Sequence, residues 1–211
     1  MSDLFSGSLR DILKVSASSE PVPGGGSVSA ITAAFSAAMS AMVANLTIGK
    51  KRYKDVEPQV TALRDRALCL MSRFEELVDE DMAQFKRFIE HYKLPASTPE
   101  EQARKEYLIQ ESLKGATETP LEIARTCMSV LEIVQEIAPI GSKMAISDAG
   151  VAAYLAEASL KAALLNVDIN LQQIKDAKFV EKAKAEKEGL IEQAERISRE
   201  SLAVITSRLV S

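Results

Sequence analysis

The sequence predicts an all-α protein, a helical bundle of about six helices, some of them long and kinked. Three observations carry that prediction. No segment alternates apolar and polar side chains at the strand period. Helix starts and stops recur along the chain, as in "STPEE" and "APIGSK". Apolar side chains at Val60, Leu63, Ala67, Leu70, Phe74 and Leu77 keep the three-four spacing of one buried helix face. With 211 residues and no linker or repeat, the whole chain, 1–211, reads as a single domain.

The elements follow in order. Residues around Ser8 to Lys14 form a short first helix. "PVPGGGSVSA", Pro21 to Ala30, is a side-chain-poor loop in which Ser27 caps a second helix running to about Ile48. "IGKKRYKD" is a basic connector. A third helix spans about Val56 to His91, with Pro58 tolerated in its first turn. After "KLPASTPEEQ", Thr98 caps a fourth helix, Pro99 takes its first position, and Glu100 and Glu101 complement its positive end. That helix continues towards Ala138, kinked or interrupted near Pro120. A fifth helix covers about Ser147 to Gln173, and a charged sixth covers about Asp176 to Val210. The charge run from Lys175 to Glu200 reads as a solvated face.

Composition narrows the function classes. A net charge of −4 leaves no basic footprint for nucleic acid. His91 is the single histidine, so a His-rich metal site is excluded, and its place beside Tyr92 and Lys93 suits a surface helix end. Cys69 and Cys127 match no metal spacing and read as buried free thiols. The N-terminal "MSDLFSGSLRDILK" lacks the layout of a signal peptide, which points to the cytoplasm. No charge occurs between Glu20 and Lys50, yet 13 of the 21 residues from Ser27 to Thr47 are Ala, Ser or Thr. Such a helix gains little from lipid but lets backbones approach closely. It reads as a central or subunit-interface helix, not a membrane span.

A few residues break these patterns. Asp81 falls on the core-facing stripe of the third helix, one turn beyond Leu77, with Gln84 or Phe85 and then Phe88 following. A buried carboxylate is costly unless paired or hydrogen-bonded, and perturbed carboxylates cluster at active sites. A rim position or a structural ion pair is the competing reading. On the fifth helix, Asp148 and Asn166 are 18 residues apart, five whole turns, with Ser159 and Asn170 near the same line. They share a direction but stand about 27 Å apart along the axis. By itself Asp148 reads as an N-terminal cap. Ser27 and Asn45 repeat that spacing on the second helix. One pocket in one subunit therefore cannot use both ends, whereas antiparallel packing against a twofold partner would bring the two ends together.

Five segments then acquire a joint meaning: "PVPGGGSVSA", "AMVANLTIGKKRY", "LVDEDMAQF", "ATETPLEIA" and "ISDAGVAAYLAEASLKAALLNVDIN". In this order, covering most of the chain, they resemble the cyclodeaminase/cyclohydrolase family, which includes the C-terminal domain of formiminotransferase-cyclodeaminase. "NLTIGKKRY" and "LPASTPEEQARKEYLIQESLKGATETPL" look most like its stand-alone methenyltetrahydrofolate cyclohydrolases. The resemblance implies a homodimer or dimer-based assembly with its site near the subunit interface, a folate substrate, and no metal or other cofactor. It implies either hydrolysis of 5,10-methenyltetrahydrofolate to 10-formyltetrahydrofolate, or closure of 5-formiminotetrahydrofolate with release of ammonia. Outside the enzymes, the alternatives are a non-catalytic folate carrier and a helical assembly protein whose small-residue helix only builds an oligomer.

Both reactions pass through a tetrahedral carbon between two nitrogens and need a proton shuttle. Asp81 is the first candidate for that role and Asp148 the second. Lys50 or Lys51 could hold the folate glutamate tail as a point charge. Asn45, Asn166 and Asn170 could read the pterin edge. Gly24, Gly25, Gly26 and Ser27 could bring bare backbone N–H groups up to the ligand.

Overall fold

A computed structural model describes residues 4–210, which form six α-helices and no strand. The helices are α1 (Leu9–Ser16), α2 (Gly25–Asn45), α3 (Glu57–Tyr92), α4 (Pro99–Ile137), α5 (Ile146–Leu171) and α6 (Ala177–Val210), with 3₁₀ turns at Leu4–Ser6, Lys51–Val56 and Lys143–Ala145. Local chemistry sets several ends. Ser8 and Thr98 each accept from the backbone three residues on, while Asp11 and Glu101 reach back to the cap. Asp176 accepts from the Phe179 N–H at 3.1 Å and opens α6. Part of the basic connector winds into the 3₁₀ turn before α3.

Two expected boundaries move. Gly24, not Ser27, caps α2, and the helix ends at Asn45. Ser27 is thus already inside the first turn, and its hydroxyl is free for another use. Pro120 does not interrupt α4, which runs through it as one helix.

Helices α2, α3, α4 and α5 form the core, and α6 lies across α4 and α5. The alanine-rich faces of α2 and α5 pack closely. Ala30, Ala33 and Ala37 on one helix and Ala149, Ala152 and Ala156 on the other are fully buried, and the Ser36 hydroxyl donates to the Ala152 carbonyl at 2.8 Å. Small side chains allow that approach, as read from composition. Larger residues such as Phe74, Leu77, Leu131 and Ile133 fill the space towards α3 and α4. By length and composition α2 could cross a membrane, but 67% of that window is buried inside the protein.

The predicted stripe of α3 faces this core: Val60, Leu63, Ala67, Phe74 and Leu77 are buried. Cys127 is buried, and burial pushes its thiol pKa up. Cys69 is exposed, contrary to expectation. It sits two residues past Ala67, about 200° around the helix, on the opposite side from the stripe. His91 does more than terminate α3. Its Nδ1 lies 2.5 Å from the Ser112 hydroxyl and 3.2 Å from the Leu108 carbonyl, tying α3 to α4. Most of α6 is solvated, with ion pairs such as Lys187–Asp168 and Arg125–Glu186 joining it to α5 and α4.

Candidate active site

Gly26, the last glycine of the loop, admits a carboxylate. Gly24 has no side chain with which to cap α2, so the first-turn N–H groups lack a local acceptor. Asp81 arrives from α3 and sets its carboxylate beside them. The Ser27 hydroxyl donates to Asp81 Oδ2 at 2.6 Å, and the nearby Ser27 backbone N–H also favours the ionised carboxylate. A Cβ on Gly26 would stand 2.3 Å from Asp81 Oδ1. Only glycine leaves room for the carboxylate to sit on the helix end, where the dipole favours an anion. Burial is the larger influence on Asp81 and raises its pKa, while the Ser27 hydroxyl and backbone N–H oppose it; the outcome is a carboxyl above its ordinary range. Such a group is a better proton acceptor near neutral pH.

Asp81 opens on a cavity of about 360 Å³ between the glycine loop, α3, α4 and the end of α5, a size within the range of small-molecule sites. Val22, Phe85, Phe88, Leu113 and Ile169 make its walls mainly apolar, and an apolar groove continues from Pro21, Val22 and Phe85 past Ile89 to Lys86 and Lys93. Two asparagines from α5 provide polarity. Asn170 Nδ2 donates to the Ala116 carbonyl at 2.7 Å. Pro120 explains the partnership, because it lacks the N–H that would otherwise bond the carbonyl four residues earlier. Asn166 Nδ2 is turned back to the Ala162 carbonyl at 3.2 Å. With both amide nitrogens engaged, each asparagine has its oxygen left as an acceptor for a ligand donor. Asn166 also borders the loop: its Oδ1 is 3.3 Å from where a Gly25 Cβ would be.

An Asn170→Ala variant is expected to leave the Ala116 carbonyl without this donor. It should lose about 1 kcal/mol of stability and raise KM more than it lowers kcat; thermal melting and steady-state kinetics check both.

The candidate residues thus separate into two groups. Gly24, Gly25, Gly26, Asp81, Asn166 and Asn170 line the cavity, and Ser27 holds Asp81 from behind. Asn45, Lys50, Lys51 and Asp148 belong to the other end of the antiparallel α2–α5 pair. There the Lys50 ammonium donates to the Ser142 hydroxyl at 3.2 Å, and the Ser142 N–H donates to the Thr47 hydroxyl at 2.7 Å. Asp148 is not the cap of α5, a position held by Ala145, but lies in the first turn. About 27 Å of helix separates the two groups, so one chain cannot bring Asp148 and Asp81 to the same small molecule. Sequence reasoning did not select Gln84, Phe88 or Gln173 as site residues, although all three line the cavity. The signal for Gln84 and Phe88 was present, since both continue the stripe past Asp81. Among the described residues no group of three or more His, Cys, Asp or Glu could hold a metal ion.

A helical bundle that sets a carboxylate against the first turn of α2, facing a largely apolar cavity, has the frame of a small-molecule site. The chain belongs to the formiminotransferase-cyclodeaminase family, whose model matches residues 8–189. It is 38% identical over 193 residues to methenyltetrahydrofolate cyclohydrolase of Methylorubrum extorquens, covering 92% of this chain and 93% of that one. It is 34% identical over 191 residues to mouse formimidoyltransferase-cyclodeaminase, covering 90% of this chain but 35% of that larger protein. A crystal structure of formiminotetrahydrofolate cyclodeaminase from Thermotoga maritima superposes with a TM-score of 0.87 at 28% identity, over 97% of this chain and 98% of that one.

Proposed function

We propose that the protein is a methenyltetrahydrofolate cyclohydrolase, interconverting 5,10-methenyltetrahydrofolate and 10-formyltetrahydrofolate. The observation that carries this reading is the similarity along nearly the full length of both chains to a methenyltetrahydrofolate cyclohydrolase. Asp81, hydrogen-bonded to Ser27 at the edge of the cavity, supplies the proton acceptor the reaction needs. The methenyl bridge is an amidinium-like cation. Water adds to its carbon, Asp81 accepts a proton, and a proton is returned to the ring nitrogen as its bond to that carbon breaks. The Asn166 and Asn170 oxygens meet donors on the pterin edge. Asp81 also attracts the cationic ground state, so its benefit must come from proton transfer and not from holding substrate more tightly.

Formimidoyltetrahydrofolate cyclodeaminase is the second reading, favoured by the structural similarity to an enzyme of that name. Purified protein should accelerate loss of methenyltetrahydrofolate absorbance above the spontaneous rate. Ammonia release from the formimino substrate with negligible methenyl hydrolysis would reverse the order of the two readings. Folate binding with neither reaction would make the protein a carrier.

The assembly we propose is a homodimer through the open face of α2 and α5. Val28, Phe35 and Met42 recur every seven residues on α2, and Val151, Tyr154, Leu165 and Ile169 extend the patch on α5. All are exposed in the single chain, and no charge interrupts the α2 part. Large apolar patches of this kind mark interaction surfaces. Stacking α2 antiparallel on its twofold copy would set the Asn45–Lys51 end of each chain beside the glycine loop of the other. Those residues then reach substrate only across the interface. Phe35→Glu is expected to halve the mass seen by light scattering and to lower activity together with it. A variant that stays dimeric refutes this face as the interface.

A further inference from the structure

We propose that Gln84 positions the attacking water, an inference that rests on the cyclohydrolase reading. Gln84 follows Asp81 by three residues on α3, so the two side chains emerge on one face about 4.5 Å apart along the axis. Both line the cavity. Gln84 Oε1 is buried and has no hydrogen-bond partner. Its neighbour on α4 is Gly115, where an added Cβ would stand 2.6 Å from that oxygen. The chain therefore makes space for a polar group that the protein itself does not satisfy, which buried polar atoms rarely tolerate.

Phe85, Phe88 and Leu113 are hydrocarbon on this side of the cavity, and no side chain of its lining donates to Gln84 Oε1. Asn166 and Asn170 each turn their amide nitrogen to a backbone carbonyl instead. A molecule entering the cavity can supply the missing donor. The last torsion of a glutamine is soft and roughly two-fold, so the oxygen can turn from Gly115 towards that donor.

Water attack supplies one. A water molecule has two O–H bonds and must aim a lone pair at the bridge carbon. Asp81 accepts one hydrogen and takes it as a proton when the C–O bond forms. Gln84 Oε1 accepts the other hydrogen without removing it. The bond from carbon to the ring nitrogen then breaks as that nitrogen is protonated, and the remaining O–H loses its proton to give the formyl group. The cation and water become neutral 10-formyltetrahydrofolate and one released proton. Ring closure of a formimino substrate with loss of ammonia uses no water, so this role for Gln84 belongs to hydrolysis alone.

Gln84→Met keeps the length and removes the acceptor, whereas Gln84→Glu keeps an acceptor. Steady-state hydrolysis of methenyltetrahydrofolate is measured for both, with thermal melting alongside. Gln84→Met should lose about tenfold or more in kcat, the scale of a misplaced reactant, with KM unchanged. Gln84→Glu should retain more kcat, and its pH profile should shift upward because a second carboxylate disfavours ionisation of Asp81. If Gln84→Met does not fold, Gln84→Leu decides, because it also lacks the acceptor and should reproduce the kcat loss. Wild-type kcat in the tested variant, or a rise in KM with kcat intact, overturns the inference. A wild type no faster than the spontaneous reaction overturns the cyclohydrolase reading itself, and is seen separately before any variant is compared.

Discussion

Asp81→Asn is expected to slow methenyltetrahydrofolate turnover by roughly 10²–10⁴-fold, the usual contribution of a general acid–base group, while making the protein more stable at neutral pH. Asparagine retains an oxygen that can accept from the Ser27 hydroxyl, so the tie between α2 and α3 survives. What disappears is a negative charge that burial disfavours. The sign of the pH dependence follows from the raised pKa. Below the ordinary carboxylate value, about 3.9, Asp81 is protonated in both folded and unfolded chains and costs nothing. As pH rises through the interval up to its folded value, the unfolded chain ionises first, and stability is lost. The difference in Tm between Asp81→Asn and wild type should therefore be positive at pH 7 and vanish below about pH 4. The activity changes in the opposite sense. Wild-type kcat/KM should fall as pH drops below the folded pKa, and that limb should be absent from the residual rate of the variant. Equal turnover by both proteins would remove Asp81 from the mechanism.

Gly26→Ala should damage activity as severely by a purely steric route. The new methyl would lie 2.3 Å from Asp81 Oδ1 and 2.8 Å from Cγ, closer than any real Cβ contact can be sustained. Helix α2 is packed between α3 and α5 and cannot retreat, so the carboxylate must leave Ser27. Alanine gains up to about 1 kcal/mol of helix propensity over glycine, but losing hydrogen bonds to a charged group costs about 1.5–3 kcal/mol. The loss wins. The other two loop glycines calibrate the effect. At Gly24 the nearest atom to a Cβ is the Pro21 carbonyl oxygen at 3.5 Å, an ordinary contact, and Gly24→Ala should be mild. At Gly25 the Asn166 oxygen stands at 3.3 Å and must shift by a few tenths of an ångström, so Gly25→Ala should act chiefly on KM. Activities graded in that order, from kinetics on the three purified variants, test whether the loop serves Asp81; three equal losses would count against it.

Much of the molecule was legible from residue order, for reasons that are local. Thr98, Pro99 and Glu101 announce the start of α4 because the Thr98 hydroxyl accepts from the Glu101 N–H, Glu101 accepts from the Thr98 N–H and Pro99 has no N–H to satisfy. The α3 stripe identifies Asp81 as an inward carboxylate because helical period alone sets its direction. Ser27 reads as a cap for the same reason that makes it useful. Serine suits a helix start, but the cap falls on Gly24, and the hydroxyl turns to a residue 54 positions away.

Spacing of side chains and breaks thus determined by itself the all-helical class, the buried face of α3 and the inward turn of Asp81, since each depends on interactions within a few turns of one helix. Tertiary structure alone decided that Gly26 is a seat for Asp81, that Pro120 frees a carbonyl for Asn170, that Gln84 is left without a donor, and that Asp148 and Lys50 stand at the far end. Those facts depend on which helices lie side by side, and helical period carries no information about a neighbour from a distant part of the chain.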